Sequence, residues 1–561
     1  MRRRWLLLVP GLALAIALAV PTPGIAGSDT KVTEDTTGSY TRYDGTTDAT
    51  TTACSTGRRS QNEPTVAVDP NNNQVVVAGS NDYCAQIVNG DVWAGYYRST
   101  DGGTTWSDSL VPGYPDDSSA AGLASPAHGS CFAAGDPTQA FDNDGNLFYG
   151  FICFNRTKPI NGSVYVARYV NDGADYDRTV LIKKGTPSGL FSSGLFQDKI
   201  NLTVDQTDGS TSGNVYVGWS QYDGFAPNNA VLFSRSTNHG LTYSRPVRVT
   251  PRELGGASFA DLAVGPDGAV YLTFQTDPSA ARPFTGIWLT KSSNGGISFG
   301  PAKLVAAITA FNSIQFSGAT GTVDCGDGPF ACDSGLTFSR FFSNSAVAAD
   351  DDGMHVVYAA ETSTGQSKIY VRNSPDGVSF PDPAATLDTV SDGHQWFPDI
   401  TSSSGTISVI FYDSRGDPDY SPDLPPGNTS GGQNSGKPVN AWVAKSTDGG
   451  TSWTETQLSS VGSNFGWETH GSRRVGFWGD YLYISAVGST VVATWTDSRD
   501  LVSGSDPRET GTDDDNDGFD VFQPCTYVPN DINAPSYSSP KIGDSCLSQG
   551  GLDQNIYAAA A

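Results

Sequence analysis

Positive charge is scarce in this sequence. The 561 residues include 33 Lys and Arg against 59 Asp and Glu, which gives a formal net charge of −26 at pH 7. Proteins that bind nucleic acid or lie on anionic lipid need clustered Lys and Arg. The composition therefore argues against nucleic acid and against a membrane surface as partners of this chain.

Long apolar runs are missing beyond the N-terminus. Residues 6–20 are apolar but interrupted by Pro10, and they fall short of the roughly 20 residues that span a bilayer. Arginines at residues 2–4 precede this run, and small residues at 24–26 follow it. This order predicts a secretory signal peptide over residues 1–26 and an extracellular product, with a membrane anchor as the alternative. Its removal leaves 30 basic against 59 acidic residues, a net charge of −29.

Sustained helical periodicity is absent, and so are several catalytic signatures. The sequence has no Gly-x-Ser-x-Gly motif and no phosphate-binding loop, and its five histidines show no metal-binding spacing. It has instead 64 Gly and 11% aromatic residues, which is typical of many short strands joined by tight turns. The sequence therefore predicts an all-β fold that requires no cofactor.

Cysteine spacing of the zinc-binding kind, such as Cys-x2-Cys, is absent as well. The eight cysteines are even in number and fall into pairs that are close in sequence, as expected for disulfides in an exported protein. Other connectivities stay open. We predict the bridges Cys54–Cys84, Cys131–Cys153, Cys325–Cys332 and Cys525–Cys546.

A two-strand pattern recurs along the chain. Each copy has an apolar-alternating strand, a turn that is mostly rich in Asp, Asn or Gly, and a second strand, as in EPTVAVDPNNNQVVVAGSND. Alternation with such a turn predicts a β-hairpin. Seven copies begin at Glu63, Asp136, Asp198, Phe259, Asn344, Phe397 and Asp480.

A second motif follows most of these copies. It pairs Ser with Asp or Asn two residues later, then Gly, then an aromatic residue. The Asp or Asn side chain can bond backbone N–H groups within a turn, Gly accepts a positive φ, and the aromatic ring can pack under the hairpin. The five copies read STDGGTTW from Ser99, STNHGLTY from Ser236, SSNGGISF from Ser292, NSPDGVSF from Asn373 and STDGGTSW from Ser446.

This motif resembles the Asp-box, or bacterial neuraminidase repeat, of the sialidase superfamily. The resemblance implies a β-propeller of four-stranded antiparallel blades, with each box between the third and fourth strands of a blade. The repeat count favours seven blades, and the family's six are the alternative. We expect a leader at 27–53, the propeller at 54–524 and a disulfide-bearing tail at 525–561. Box residues are expected to be structural; the two complete boxes contain Ser99, Asp101, Gly103, Trp106, Ser446, Asp448, Gly450 and Trp453.

Acidic residues stand where first strands of the repeats begin, and propellers carry function at the central axis that these strands surround. Crowded carboxylates raise one another's pKa, which supplies a general acid beside an ionised partner. The alternative is that each carboxylate caps its own strand or bonds a neighbouring blade. The candidate catalytic residues are Glu63, Asp136, Asp198 and Asp480.

The sialidase resemblance also implies three arginines that bind the substrate carboxylate, and a Tyr–Glu pair with an Asp acid/base. The family's first arginine lies in an Arg-Ile-Pro motif, whereas this chain has Asn-Glu-Pro at 62–64. Arg59 lies just upstream of that site, and Arg415 and Arg499 end corresponding strands. These three are the candidate anion-binding residues, and salt bridges to Asp413 and Asp497 are the alternative for the last two.

Aromatic residues cluster near the sixth and seventh repeats. Exposed rings there could stack on the C–H face of a sugar, and inter-blade packing is the alternative. The candidate substrate-binding aromatics are Trp396, Trp478 and Tyr481.

One segment resembles a calcium loop. Asp513, Asp515 and Asp517 are followed by Gly518, an order that can wrap oxygen ligands around Ca²⁺. The twelfth position of a helix–loop–helix site would be Glu, but Pro524 stands there. The segment is either a non-helical calcium loop or a solvated acidic turn.

Two functions remain open from the sequence. One is a sialidase-like glycoside hydrolase that acts at the channel mouth of the propeller; the other is a non-catalytic propeller that binds extracellular glycan or protein. Three arginines converging on the axis would favour the hydrolase. In either case we expect a monomer whose partner is an extracellular glycan or glycoprotein.

Overall fold

The computed structural model describes most of the chain. The described residues are 24–25, 29–34, 38–55, 60–84, 91–155, 161–187, 194–223, 229–311, 344–388, 390–422, 424, 426, 428–429, 432–433, 436–464, 478–500 and 554–561. In this part of the chain no helix has the length and apolar character needed to cross a bilayer.

Strands are the main regular secondary structure of the described residues, as the sequence predicts, and only two short helices accompany them there. Before the first sheet lie β1 (Gly24–Ile25), β2 (Thr30–Lys31) and the helix α1 (Ala49–Cys54). Sheet 1 contains β3 (Gln61–Val68), β4 (Val76–Asp82), β5 (Trp93–Ser99) and β6 (Ser107–Leu110), and α2 (Ala120–Ala124) follows it. Sheet 2 contains β7 (Ala133–Phe141), β8 (Leu147–Asn155), β9 (Asn161–Val170) and β10 (Asp175–Lys183). Sheet 3 contains β11 (Leu195–Val204), β12 (Val215–Asp223), β13 (Ala230–Ser236) and β14 (Val247–Arg248).

The remaining sheets repeat this order. Sheet 4 contains β15 (Ala257–Val264), β16 (Val270–Thr276), β17 (Thr285–Ser292) and β18 (Lys303–Ile308). Sheet 5 contains β19 (Ser345–Asp350), β20 (Gly353–Glu361), β21 (Ser367–Ser374) and β22 (Ala385–Thr386). Sheet 6 contains β23 (Gln395–Ser403) and β24 (Thr406–Asp413), then, after the small hairpin of β25 (Asn428–Thr429) and β26 (Gly432–Gln433), β27 (Asn440–Ser446) and β28 (Thr454–Gln457). Sheet 7 contains β29 (Tyr483–Val487), β30 (Thr490–Asp497) and β31 (Asn555–Ala560).

Within each sheet, sequence neighbours pair antiparallel. A single parallel pair, Phe196 with Gly162, joins sheets 2 and 3, and β1 pairs parallel with β28 at the outer edge of sheet 6. These pairings give an all-β protein of repeated four-stranded antiparallel sheets, which confirms the predicted fold class at that level.

The leader and the tail both contribute to sheet 7. Strand β31 pairs with β30 on one side and with β2 on the other. The sequence-based boundaries, with a leader at 27–53 and a tail from 525, place both strands outside the repeat region. In the structure they complete a sheet that would otherwise have only the two strands of the last repeat.

The first strands of the seven sheets contact one another in cyclic order. Each first strand contacts the first strand of the next sheet, and β29 of sheet 7 contacts β3 of sheet 1. Side chains join neighbouring first strands to each other: Leu202 N–H donates to Thr138 Oγ1 (3.3 Å), and Val68 N–H donates to Ser485 Oγ (3.1 Å). Backbone groups that face a neighbouring sheet are thereby satisfied.

A β-bulge interrupts five of the first strands at equivalent positions. One residue at each bulge takes a positive φ of 49–55°, a region that non-glycine residues rarely adopt. Bulges re-aim side chains, and here they set the direction of the residues at the start of each first strand. The five residues are Glu63, Asp136, Lys199, Phe259 and Phe397.

The Ser-x-Asp turns connect third and fourth strands, as the resemblance implies. In the first, Ser99 Oγ donates to Asp101 Oδ1 (2.8 Å), and Gly103 N–H donates back to Ser99 Oγ (2.9 Å). Hydrogen bonds from Thr105, Ser99 and Thr104 lower the pKa of Asp101 to about 2. These contacts support a structural role for the box aspartates.

The fourth copy of this turn differs from its predicted alignment. The alignment begins at Asn373, but the serine that bonds Asp376 is Ser374 (Oγ–Oδ1 3.1 Å). The turn therefore has the Ser-x-Asp spacing of the others but one residue fewer before its aromatic residue, Phe380.

Two of the predicted disulfides are confirmed. Cys54–Cys84 joins α1 to the residues after β4, and Cys131–Cys153 joins the approach to β7 with β8. Cys325–Cys332 and Cys525–Cys546 lie outside the described residues and stay predictions.

We expect the Cys54→Ala/Cys84→Ala variant to lose about 2–4 kcal/mol of unfolding free energy, because the bridge closes a long loop of the unfolded chain. Urea unfolding followed by tryptophan fluorescence measures the loss. The matched control, Cys325→Ala/Cys332→Ala, removes a predicted bridge across a much shorter loop and should cost less. Equal losses would contradict the loop-length explanation, and peptide mapping without reductant reports all four pairings.

Candidate functional site

All four predicted carboxylates meet around a lysine at the start of the first strands. Lys199 Nζ forms an ion pair with Asp480 and lies 3.4 Å from Asp136 Oδ2. Glu63 contacts Asp136 through a side-chain hydrogen bond. Asp198, which precedes Lys199, is hydrogen-bonded to Asp136 as well. These five residues are called the strand-start cluster below.

The cluster is assembled by the bulges and by close backbone packing. Glu63 and Asp136 have φ values of 53° and 52°, and Lys199 has 49°. Gly479, at a φ of +85°, lies against Glu63, where a Cβ would stand 2.1 Å from Glu63 Cγ. Only glycine fits at position 479, because a larger residue would collide with Glu63. Gly479 therefore leaves room for the Glu63 side chain beside Asp480.

Asn81 links sheet 1 to sheet 2 within the cluster. Its Nδ2 donates to Glu63 Oε2 (2.8 Å), and its Oδ1 accepts the N–H of Asp136 (2.8 Å). The Asp136 carboxylate in turn accepts from Tyr481 Oη (3.1 Å) and from the N–H of Lys199 (3.2 Å). The Asp136 carboxylate is therefore held as an acceptor by Lys199 of sheet 3 and by Tyr481, which lies just before the first strand of sheet 7.

Lys199 is the cation of the cluster. Its side chain is 7% exposed, and its Nζ lies 5.2 Å from the ring centroid of Tyr481 and 5.7 Å from that of Phe259. Aromatic faces favour a cation at such distances. Although burial opposes it, Asp136 and Asp480 raise the pKa of Lys199 well above its usual value, so this lysine is charged at neutral pH.

The pKa values of the carboxyl groups in the cluster are shifted in opposite directions. Burial, together with the charge of Asp136, raises the pKa of Glu63 well above its usual value. Burial and Asp136 also raise the pKa of Asp198 to about 7, against the lowering effect of Lys199. For Asp136 itself, Lys199 and hydrogen bonds from Glu63, Asp198 and Tyr481 outweigh burial and lower the pKa to about 2. Protonated acids thus lie in hydrogen-bond contact with an ionised one.

Chemically, this arrangement can hold and transfer a proton near neutral pH. A carboxylic acid with a pKa close to the ambient pH, next to a carboxylate that stays ionised, is the arrangement used for general acid–base catalysis. Glu63, Asp136 and Asp480 are buried, whereas Asp198 is partly exposed. Asp198 is therefore the member best placed to exchange a proton with a ligand.

Beside the cluster lies a small cavity of about 40 Å³. A single water needs roughly 10–15 Å³ measured in the same way, whereas pockets for small organic ligands measure about 300–1,000 Å³. The cavity admits an ion or a few waters but not a sugar ring. Its lining includes Lys199, Asn201, Asp261, Asn344, Asp399 and Asp480.

The predicted anion-binding arginines are engaged elsewhere. The Arg415 guanidinium bonds Asp413 (2.6 Å) and Glu455 (2.9 Å) and lies 3.9 Å from the ring centroid of Trp442. Arg499 bonds Asp29 (2.6 Å) and Asp497 (2.7 Å). The structural salt bridges to Asp413 and Asp497 are therefore formed, and neither arginine belongs to the strand-start cluster.

The predicted sugar-stacking tryptophans are buried. Trp396 and Trp478 are at most 1% exposed and pack against Tyr412 of sheet 6, at centroid distances of 5.6 and 5.5 Å. Neither ring offers a face to a sugar, because inter-sheet packing covers both. Tyr481 differs from them, since its hydroxyl joins the cluster through Asp136.

Two further predicted sites lie outside the described residues. These are Arg59 and the calcium-loop residues Asp513, Asp515 and Asp517.

Lys199 is the main residue that the sequence analysis missed. In the first two repeats, the strand-start carboxylates Glu63 and Asp136 each precede the turn residues Asp69 and Asp142 by six positions. The same spacing before Asp205 points to Lys199 rather than to Asp198. That six-residue spacing is the signal in the sequence that identifies Lys199.

Comparisons with known proteins give distant matches in structure alone. No family model matches the chain, and no curated protein matches it. A Hadza microbial sialidase aligns with 75% of this chain and 73% of its own, at 12% identity and a TM-score of 0.41.

Two other solved structures match at a comparable level. The intramolecular trans-sialidase from Ruminococcus gnavus covers 63% of this chain and 90% of its own, at 11% identity and a TM-score of 0.39. The α-L-arabinanase of Penicillium chrysogenum covers 68% and 92%, at 12% identity and a TM-score of 0.38. Similarity this low does not transfer the activity of any of these proteins to this chain.

Proposed function

We propose that the seven sheets form one closed, seven-bladed β-propeller. The support is the cyclic contact order of the first strands, in which β29 returns to β3. In this arrangement the leader strand β2 and the tail strand β31 complete the last blade, and the strand-start cluster lies at the central axis.

We further propose that the protein is a secreted glycoside hydrolase of sialidase-like fold. The observation that carries this proposal is that the carboxylates of Asp136 and Asp198 both accept the N–H of Lys199 (3.2 and 2.9 Å), with the pKa of Asp136 lowered to about 2 and that of Asp198 raised to about 7. The resemblance of the Ser-x-Asp turns to the Asp-box supplies the substrate class. Export is supported by the N-terminal signal pattern and by two disulfides, which are typical of oxidising compartments.

Three carboxyl groups of the cluster have a defined part in the proposed reaction. The Asp198 carboxyl donates its proton to the glycosidic oxygen as the bond from the anomeric carbon to that oxygen breaks. The Asp198 carboxylate then takes a proton back from the water that adds to the anomeric carbon, and Asp136, which is in hydrogen-bond contact with Asp198, stays ionised and orients the Asp198 carboxyl. Glu63 and Lys199 position Asp136 through a hydrogen bond and an ion pair.

A panel of chromogenic sialosides and neutral glycosides tests the proposal. We expect the mature protein to cleave at least one class, and Asp136→Asn to lower kcat/KM about 100- to 10,000-fold, because the ionised partner is lost. The matched control is Asp267→Asn, which alters a carboxylate that is 62% exposed in a surface turn and should leave the rate unchanged. Circular dichroism verifies that both variants fold.

A non-catalytic, glycan-binding propeller is the second candidate. It is favoured by the engagement of Arg415 and Arg499 with carboxylates and by the burial of the cluster. Inactivity across the whole panel together with binding on a glycan array would replace the first proposal with the second.

A further inference from the structure

The small cavity is bordered by a second pair of acids that lies outside the strand-start cluster. Asp261 and Asp399 both line it, one on β15 and one on β23. Asp261 Oδ2 accepts the N–H of Val347 (2.7 Å), and Asp399 Oδ2 accepts the N–H of Ile484 (2.8 Å). Each carboxylate is thus fixed against the first strand of another sheet.

These two acids have no ion-pair partner among the lysines, arginines and histidines that the structure describes. The lysine on the cavity wall, Lys199, pairs with Asp480 and Asp136. A bound cation would supply the counter-charge that both carboxylates lack among the described residues.

Unpartnered oxygens border the same cavity. Asn201 and Asn344 are 7% and 8% exposed, and Oδ1 of each is buried without a hydrogen-bond partner. The amide nitrogen fixes the orientation of each side chain. Asn344 Nδ2 donates to Asp480 O (2.9 Å), and Asn201 Nδ2 donates to Tyr483 Oη (3.2 Å). Ser345 Oγ, also on the cavity wall, has no partner either.

We propose that this cavity binds one Ca²⁺ ion through Asp261 and Asp399, with Asn201, Asn344 and Ser345 as neutral oxygen donors. Carboxylate, amide and hydroxyl oxygens are the ligands that Ca²⁺ takes, with six to eight oxygens in a flexible arrangement, whereas Zn²⁺ favours nitrogen and sulfur. Two carboxylates balance the charge of a divalent ion. The cavity volume of about 40 Å³ leaves room for water to complete the coordination.

The ion would stabilise the packing of neighbouring sheets. Its ligands come from four sheets: Asn201 from β11, Asp261 from β15, Ser345 from β19 and Asp399 from β23. Binding therefore links four first strands across the centre of the ring. This site is independent of the acidic loop at 513–517 and of the proposed hydrolase activity.

Calorimetric titration of the full mature protein with CaCl₂ after chelator treatment tests the site. A loop variant, Asp513→Asn/Asp515→Asn/Asp517→Asn, serves as the background, so that the acidic loop does not contribute. We expect the loop variant to bind one Ca²⁺ per chain and to melt at a higher temperature with Ca²⁺ than without it. Adding Asp261→Asn/Asp399→Asn should raise Kd at least 100-fold and abolish the thermal shift.

A milder substitution separates loss of a ligand from loss of the fold. Asn201→Leu in the same background removes one neutral donor while both carboxylates remain, and it should raise Kd about tenfold, with circular dichroism unchanged. Absence of Ca²⁺ binding by the loop variant, or equal binding after Asp261→Asn/Asp399→Asn, would overturn the proposal. Because the readout is ion binding, these results do not depend on whether any glycoside is cleaved.

Discussion

Replacing Lys199 with methionine is expected to lower the unfolding free energy by about 3–5 kcal/mol at pH 7.5, because the change leaves buried carboxylates without their cation. Lys199 Nζ contacts Asp480 and lies 3.4 Å from Asp136, and all three side chains are at most 9% exposed. Methionine keeps much of the apolar length of the side chain, so lost packing contributes little. Urea unfolding of both proteins measures the difference.

The loss should depend on pH in a defined direction. In the wild type, Lys199 helps to lower the pKa of Asp136 to about 2, so the stability from this carboxylate is present above its unfolded pKa and is lost as pH falls towards 2. Without the lysine, the pKa of Asp136 rises in the folded state. The variant then loses stability as pH rises, so its deficit should be smaller at pH 5 than at pH 7.5.

Lys291→Met is the matched control for this prediction. Lys291 also lies over an aromatic ring, 4.9 Å from the centroid of Tyr271, and its ion pair with Asp267 is 3.6 Å long. Its side chain is 21% exposed and that of Asp267 is 62% exposed, so the pair contributes no more than about 1 kcal/mol. A Lys199→Met deficit as small as that of Lys291→Met would show that the cluster does not need its lysine.

Part of the cluster follows from the spacing within the repeats. In every copy, the residue six positions before the turn that follows the first strand lies near the start of that strand. In the third, fifth and seventh copies this residue is Lys199, Asn344 and Tyr481. Glu63 and Asp136, the predicted strand-start carboxylates of the first two copies, follow this register. Asp198 and Asp480 lie one position earlier and still reach the cluster, because the neighbouring bulge and the glycine at 479 turn the chain there.

Other features could not be predicted from local sequence, because they depend on contacts between distant residues. Arg415 is held by Asp388, 27 residues away, and by Glu455, 40 residues away, so no local pattern shows that its guanidinium is occupied. Trp396 directly precedes a bulge residue, and whether its ring faces solvent or a neighbouring sheet depends on that sheet. The placement of Asp261 and Asp399 on one cavity wall likewise depends on contacts between strands that are far apart in sequence.

Completion of sheet 7 by the C-terminal strand leads to the second large prediction. We expect Ile556→Asp to lower the unfolding free energy by about 4–5 kcal/mol, because it places a carboxyl group in an apolar core. Ile556 is fully buried and packs in one cluster with Val32 and Val492. Its carbonyl oxygen also accepts the N–H of Val32 (2.8 Å), so displacement of β31 releases β2 as well.

The control for this prediction lies in the same strand. Ala560 is the exposed last residue of β31, so Ala560→Asp adds the same charge without burying it and should change stability by less than about 0.5 kcal/mol. Limited proteolysis with mass spectrometry provides the second readout, since a detached β31 is cleaved from the C-terminus before the rest of the chain unfolds. Equal stability and equal cleavage of the two variants would contradict the pairing of β31 with β30. A loss of stability in Ile556→Asp but not in Ala560→Asp would instead show that β2 and β31 complete sheet 7. The apolar contacts of Ile556 would then be what holds both strands in place.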